Sequence, residues 1–514
     1  MPQTTPHTAI YKHPIQRIGL GLVLLGMAVL VGMLSLSTYK LSPQVVENVV
    51  TDSTHRAGLN TVLDSLYAIE FSNDWQMAKA LDESFQQINP SIPNNPIQDY
   101  WADTYKTYLI KGSAHGLVSD YPKLFFWLTI GLAVFGGLLY IIPKLRLIPG
   151  IKNDHIFQNA TTNRGWIGWL LGTFLIGFYI LLYFFPYYIT NWMIMVDPLA
   201  YWLKGSEASQ WFFYGLLYTL AILVMGIRML IKYQHSKYHQ LRTGSVMFFQ
   251  LAFAFLLPEI LVALNKPYYD FKNIWPLNYD FFFDYRISEF LNNGGLGLFM
   301  LIWGIALIVL GVPLMTFFFG KRWYCSWVCG CGGLAETLGD PFRQLSDKSL
   351  KAWKIERWMV HSVLVLAVVM TIAVLYTYFT GQSELVGINS YNLRSGYGFA
   401  IGSIFAGVVG TGFYPLMGNR VWCRFGCPLA AYLGIIQRFR SRFRITTNGG
   451  QCISCGNCST YCEMGIDVRA YAQKGQNIVR ASCVGCGVCA SVCPRGVLKL
   501  EVKDHKARLN VEEF

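Results

Sequence analysis

Apolar residues recur along most of the chain in runs long enough to cross a bilayer, each bounded by polar or Gly- and Pro-containing stretches. The runs are Ile18–Ser35, Leu124–Ile142, Gly165–Tyr187, Trp211–Ile231, Val246–Leu264, Gly297–Phe319, Met359–Tyr378 and Phe399–Met417. This pattern predicts an all-α polytopic membrane protein of about eight transmembrane helices. Residues 1–17 form a short N-terminal segment, and no small-residue cleavage site follows the first run, which is expected to remain as a span. Residues 36–123 are mostly polar, with helical periodicity at Leu59–Ile69 and Trp75–Ile88. Pro90, Pro93 and Pro96 are expected to break the second of these helices. The other spans occupy residues 124–420, residues 421–444 read as a basic linker, and the polar, Gly- and Cys-rich residues 445–514 read as a separate α+β module.

Composition agrees with the pattern. AVILMFWYC residues make up 53% of the chain and charged residues only 14%, against about 25% charged in soluble domains. The net charge of +13 belongs to loops rather than to a nucleic-acid surface. Segments 143–164, 228–245 and 321–357 hold 4, 4 and 7 Lys and Arg, whereas 188–210, 265–296 and 381–398 hold 1, 3 and 1. This bias predicts that the first set, both termini and the C-terminal module are cytoplasmic, and that 36–123 is extracytoplasmic. Segment 40–123 has ten acidic and six basic residues but no catalytic or metal-binding spacing; it reads as a structured loop or a docking cap.

None of the 13 Cys precedes residue 325. The C-terminal module holds Cys452-x2-Cys455-x2-Cys458-x3-Cys462 and Cys483-x2-Cys486-x2-Cys489-x3-Cys493-Pro494. This is the spacing of bacterial two-cluster ferredoxins, in which the fourth Cys of each run ligates the other cluster. A cubane [4Fe–4S] cluster needs four converging thiolates, and two-residue gaps let one loop supply three of them. The expected sets are Cys452, Cys455, Cys458 with Cys493, and Cys483, Cys486, Cys489 with Cys462. Gly456, Gly485 and Gly487 suit close approach of backbone amides to sulfur. Zinc is the structural alternative, and two complete runs disfavour it. Glu463 departs from the pattern, standing where Pro commonly follows the fourth Cys.

The other five Cys fall at the ends of two spans. Gly320-x-Arg322-x2-Cys325-x3-Cys329 and Gly418-x-Arg420-x2-Cys423-x3-Cys427 share Gly, Arg, an aromatic (Tyr324, Trp422) and both Cys at identical offsets, which makes them an internal repeat. On a helix, residues at i and i+4 share a face, so four thiols could meet at a further metal or redox site; Cys331 adds a fifth.

On these motifs, residues 297–514 resemble the membrane polyferredoxins of the periplasmic nitrate reductase and nitrous-oxide reductase systems. The resemblance rests on Cys423-x3-Cys427-Pro428, its partner Cys325-x3-Cys329 and the two terminal runs; Gly330 takes the place of Pro in the first copy. It implies single-electron transfer linked to the quinone pool in a bacterial inner membrane, with redox proteins or complex subunits as partners and a role as a quinol dehydrogenase subunit. The covalent-flavin attachment motif of the nitrous-oxide relatives is not found; Asn159-Ala-Thr-Thr162 does not match it. The chain is also similar to the copper-handling accessory protein of cbb3-type oxidase assembly. That likeness implies a rival function, a metal-handling or reducing assembly factor with copper at Cys325, Cys329, Cys423 and Cys427.

Haem is not expected, because Cys-x-x-Cys-His is absent and His361 alone among nine His falls within a span. His361 reads as packed or interfacial, and His235 and His239 as solvated. Glu259, behind Pro258 in a span, is the weak catalytic candidate: a carboxylate in hydrocarbon is costly and marks proton acceptance at a quinol site, or else a hydrogen bond inside the bundle. Arg424, Arg438, Arg440, Arg442 and Arg444 read as an anchor for anionic membrane lipids, or as a docking patch for an acidic electron carrier.

Overall fold

Long apolar helices cannot leave backbone groups unpaired in hydrocarbon, and the computed structural model builds most of the chain from them. It describes residues 14–88, 97, 99–143, 164–382, 384, 385, 387–448 and 450–502. Pro90, Pro93, Pro96 and Asn159–Thr162 lie outside the described residues. Among those described, seven helices are long and apolar enough to cross a membrane: Pro14–Ser35, Pro122–Ile141, Gly165–Phe184, Gln210–Lys232, Lys237–Ala263, Gly294–Phe319 and Leu350–Thr380. The eighth expected run, Phe399–Met417, is not among them. It lies in a helix that runs unbroken from Ser390–Tyr397 through Gly398–Val409 and Gly410–Gly412 and turns at Phe413 into Tyr414–Met417; the polar residues of Ser390–Tyr397 make this helix less apolar than the others.

The chain divides into two compact units, residues 1–143 with 180–217, and 144–179 with 218–514. In the first, helix Pro14–Gly32 packs on Leu132–Ile141 through glycine. A Cβ at Gly19 would stand 2.6 Å from Gly136 O, and one at Gly136 would stand 2.6 Å from Gly19 O. Small residues let helix backbones approach this closely in membranes. The expected helices appear as Ser53–Leu63 and Asp74–Ile88. The sequence reading missed an antiparallel three-stranded sheet, with Ser37–Lys40 between Glu70–Phe71 and Ala114–Gly116. Strands of two to four residues leave too short an alternation to be read. Helix Thr190–Lys204 was also missed, being only 15 residues long. Its Asn191 and Trp192 side chains donate to the carbonyls of Met33 (2.8 Å) and Leu30 (2.7 Å), satisfying the end of the first apolar helix.

In the second unit, residues 264–283 do not form a simple surface connector. Trp275 Nε1 donates to Thr371 Oγ1 (3.0 Å), in the second half of Leu350–Thr380, and Tyr279 packs against Gly398 and Gly402. Irregular backbone at such depth is tolerated where protein surrounds it. Residues 421–444, read above as a linker, instead contain helix Pro428–Arg440, whose Leu429, Ala430 and Leu433 are buried. The C-terminal module is closed by antiparallel strands Phe443–Thr447 and Leu498–Val502, which carry its two ends.

Gly136→Val should force the first two apolar helices apart and lower stability by about 1–3 kcal/mol, whereas Gly21→Val, with nothing within 4 Å of its Cβ position, should not. Thermal unfolding in detergent, followed by intrinsic fluorescence, checks this; equal melting temperatures would contradict the helix contact.

Candidate functional site

Each Cys run of the module folds into the same device. After Cys455 the chain turns through Gly456 (φ 79°) into helix Asn457–Thr460, and after Cys486 it turns through Gly487 (φ 81°) into helix Val488–Ser491. Only glycine takes this left-handed conformation without Cβ strain. The turns gather three thiols of a run, and the closing strands bring each fourth Cys to the other run's turn. Cys452, Cys455, Cys458 and Cys493 line one cavity of about 350 Å³ including its mouth. Cys462, Cys483, Cys486 and Cys489 line a second of about 360 Å³.

The two cavities differ in exposure. Cys455 of the first is exposed, while Cys483 and Cys489 of the second are buried. Burial pushes the Cys458 and Cys483 thiols up to about 11 and raises Cys486 and Cys489 as well. Backbone N–H groups oppose it, among them Ile466 N, 3.3 Å from Cys462 Sγ. Holding a metal group here therefore means releasing protons, and N–H donors to sulfur are a lever on cluster potential.

The repeat at residues 320–331 and 418–427 is a structural duplicate, although its pairs do not lie on one continuous helix as expected. Cys325 ends helix Arg322–Cys325 and Cys329 precedes helix Gly330–Thr337; Cys423 lies in the turn Trp422–Gly426 and Cys427 precedes Pro428–Arg440. Cys329 and Cys427 are extended, with ψ 126° and 110°. At Cys427 the following Pro disfavours the helical region. In both copies the second Cys N–H reaches back five residues, to Tyr324 O (2.8 Å) and Trp422 O (2.9 Å). The four thiols share one buried cluster, with Cys331 at its edge. Burial drives Cys325 to about 12 and raises Cys423 and Cys427. Cys329 moves the other way, because the Cys331 thiol, the Gly332 N–H and Lys272 favour its thiolate. Gly330, standing where the second copy has Pro, faces the ends of two long side chains: a Cβ there would stand 2.7 Å from Gln250 Oε1 and 3.5 Å from Lys272 Nζ. Lys272 arrives on the inward-folded 264–283 segment, held by Asp270 at 3.2 Å.

A buried charge network joins the repeat to the second cavity. Arg420 Nη2 contacts Glu336 (2.6 Å) and Glu463 (3.0 Å), and its Nη1 lies 3.2 Å from Cys325 O and 3.8 Å from Cys423 Sγ. Arg343 pairs with Glu463 at 2.8 Å, Arg242 pairs with Glu336, and Arg242 also donates to the Cys486 carbonyl. Asp340 takes Arg228 (3.0 Å) and Lys232 (2.8 Å). Glu463, the departure noted in the first run, is thus a structural ion-pair residue; burial acts to raise its carboxyl, but Arg343, Arg420 and Arg242 hold it at about 2. The five cations Arg228, Lys232, Arg242, Arg343 and Arg420 outnumber the three acids Asp340, Glu336 and Glu463. Ser326 Oγ donates to Val484 O (2.8 Å), and Gln437 Nε2 to Cys483 O (2.8 Å), stitching the second cavity's loop to the repeat.

These donor sets suit an iron–sulfur cubane: four thiols to a cavity, amide donors to sulfur, and a surplus of buried positive charge to offset thiolates. Among the described residues, no three His, Cys, Asp or Glu side chains close on one point at single-ion spacing, whereas a cubane spreads its thiolates over four irons. The remaining candidates lie elsewhere. Glu259 is buried in Leu257–Ala263 and lines neither cavity; Tyr268 is raised by burial, then by Asp270, and least by Glu259. Arg424 and Arg444 are buried, Arg424 on Glu356 (3.1 Å), so only Arg438, Arg440 and Arg442 of the basic stretch face outward. His239, expected to be solvated, is buried and stacked on Tyr233 at 4.5 Å; His235 is exposed, and His361 bonds the Arg357 carbonyl. The network and Lys272 were missed because only tertiary contact pairs them; Glu463 and Gly330, both departures from pattern, were the available signals.

The fold and cavities define an apolar multi-helix protein carrying a cysteine-lined ferredoxin-type module. A family of 4Fe-4S binding domains matches residues 300–349 and 397–446, one copy over each Cys-x3-Cys pair, and a family of 4Fe-4S dicluster domains matches 451–498. The chain is 26% identical over 174 residues to YccM of Escherichia coli K12, named as an electron transport protein, covering 32% of this chain and 46% of that one. It is 27% identical over 154 residues to the methylamine utilization ferredoxin-type protein MauN of Methylobacillus flagellatus, covering 28% and 50%. The chain thus spans about half the length of these relatives. No solved structure matches. Together, the 4Fe–4S ferredoxin domains, these likenesses and seven apolar helices fit a membrane polyferredoxin.

Asp340→Asn should leave Arg228 and Lys232 without their buried partner, take one of two from Arg343, and lower stability by about 3–5 kcal/mol. Burial acts to raise Asp340, but these three cations hold it well below the carboxylate range. Its stabilisation is therefore complete above an unfolded pKa of about 4 and is lost as pH falls through the depressed folded value. Melting temperatures from pH 7 down to 3 check this: wild type should lose stability below about pH 4 more steeply than Asp340→Asn.

Proposed function

We propose that the protein relays single electrons between a cytoplasmic donor or the quinone pool and a membrane or extracytoplasmic redox partner. One observation carries the reading: two cavities, each lined by three Cys of one run and the fourth of the other. Cys452, Cys455, Cys458 and Cys493 would hold one [4Fe–4S] cluster, and Cys483, Cys486, Cys489 and Cys462 a second. Such a group takes up and returns one electron with little rearrangement. Cys325, Cys329, Cys423 and Cys427 would hold a third centre, supported by their shared buried cluster and by the two family matches over them. Arg420 touches the repeat at Cys325 O and Cys423 Sγ and Glu463 beside Cys462, so a compact protein path joins the second cavity to the repeat.

Eight crossings are also supported. Cys329 and Cys427 share one cluster, yet helix Leu350–Thr380 lies between them in the chain and carries it to the other side. A return crossing would bring them back to one side, and the helical stretch Ser390–Tyr397 continuing through Gly398–Val409 can supply it. The Lys and Arg bias then favours the module and both termini facing the cytoplasm.

The rival role in copper handling would place the metal at Cys325, Cys329, Cys423 and Cys427, and the two 4Fe-4S family matches over these pairs favour an iron–sulfur group there. In anaerobically purified protein, Cys486→Ser should remove one of two low-potential EPR signals, and Cys423→Ala should lower iron content while leaving both. Unchanged spectra in Cys486→Ser would refute the ligand assignment. Stoichiometric copper lost in Cys423→Ala would favour the assembly factor.

A further inference from the structure

We propose that the mouth of the Cys452–Cys493 cavity docks an acidic, water-soluble one-electron carrier of flavodoxin or ferredoxin type; this rests on the reading of that cavity as a cluster site. Cys455 is the exposed thiol of the module, and Ile453 beside it is 54% exposed, an apolar contact spot over the cavity. Arg469 and Arg495 line the cavity and are themselves exposed. Arg469 Nη1 stands 3.8 Å from the Cβ position of Gly456. Lys474 is exposed and follows Gln473, whose Nε2 donates to Ser454 Oγ at 2.7 Å on the same rim.

Among the described residues, the nearby acids are hydrogen-bonded within the module or buried. Asp467 accepts from Ser459 Oγ (2.7 Å) and Ala470 N (3.4 Å), Glu501 accepts from Thr446 Oγ1 (2.8 Å), and Glu463 is wholly buried. Among the described residues the result is an apolar spot flanked by Arg469 and Arg495, which steers an acidic partner and brings its redox group to the edge where transfer is shortest. The loop of the second cavity is covered by the rest of the chain instead: Tyr238 donates to Gly485 O at 2.7 Å, and a Cβ on Gly485 would stand 2.6 Å from Arg322 Cβ. Arg438, Arg440 and Arg442, the patch first read as a docking candidate, line neither cavity. In the step itself one electron leaves the carrier, which is oxidised, and enters the iron–sulfur group, which is reduced; no bond forms or breaks.

The test measures binding of an acidic flavodoxin to the full detergent-solubilised protein as a function of salt, with iron content and EPR taken on the same samples. The Kd should weaken with salt, and Arg469→Glu with Arg495→Glu should raise it about tenfold or more and flatten the salt dependence. The Arg469→Lys, Arg495→Lys pair should bind as wild type. If the Glu pair fails to accumulate, Arg469→Gln with Arg495→Gln should still raise the Kd about threefold. An unchanged Kd in iron-replete variants, or tighter binding of a basic cytochrome c than of the flavodoxin, overturns the docking face. Iron-free wild-type protein that still binds flavodoxin in a salt-dependent way sinks the cluster reading instead and leaves the face standing.

Discussion

Glu463 has no access to water and sits between Arg343 and Arg420. A carboxylate so buried persists because two guanidiniums meet it, and they in turn cannot be left without it. Glu463 follows Cys462, a lining residue of the second cavity, while Arg420 belongs to the Cys-x3-Cys repeat. One ion pair therefore sets the register in which the cysteine module meets the repeat. Ser326, Gln437 and Lys321, each bonded to carbonyls of residues 480–484, hold that register from the repeat and from helix Pro428–Arg440.

The repeat is symmetric in backbone and asymmetric in charge. Arg322 and Arg420 occupy the same offset, but Arg322 stacks on Phe443 at 4.5 Å whereas Arg420 is fully buried among Glu336, Glu463 and the Cys423 sulfur. Pro428 rigidifies one copy, while Gly330 opens the other to Gln250 and Lys272. A duplicated frame thus presents cations to its sulfurs from two different sides. With the cationic surplus around the second cavity, this gives the chain electrostatic control over any thiolate-bound group it holds.

Exposure orders the sites. Cys455 of the first cavity is exposed, whereas no thiol of the second cavity or of the repeat is, and the repeat's thiols lie in the same buried cluster as Cys483 and Cys489. A carrier from water meets the first before the others.

The apolar runs, the two Cys runs and the duplicated Cys-x3-Cys pairs were legible from the chain alone, because each is a local regularity: hydrocarbon thickness sets a span's length, and a cubane sets the spacing of three thiols on one turn. The pairing of Glu463 with Arg420, the burial of Arg424, Arg444 and His239, and the inward course of residues 264–283 to Lys272 were not. In sequence a charged residue reads as solvated, and only packing of distant segments removes its water and supplies a partner. The three-stranded sheet and helix Thr190–Lys204 escaped for the same reason, since strands and helices this short acquire their identity from what they pack against.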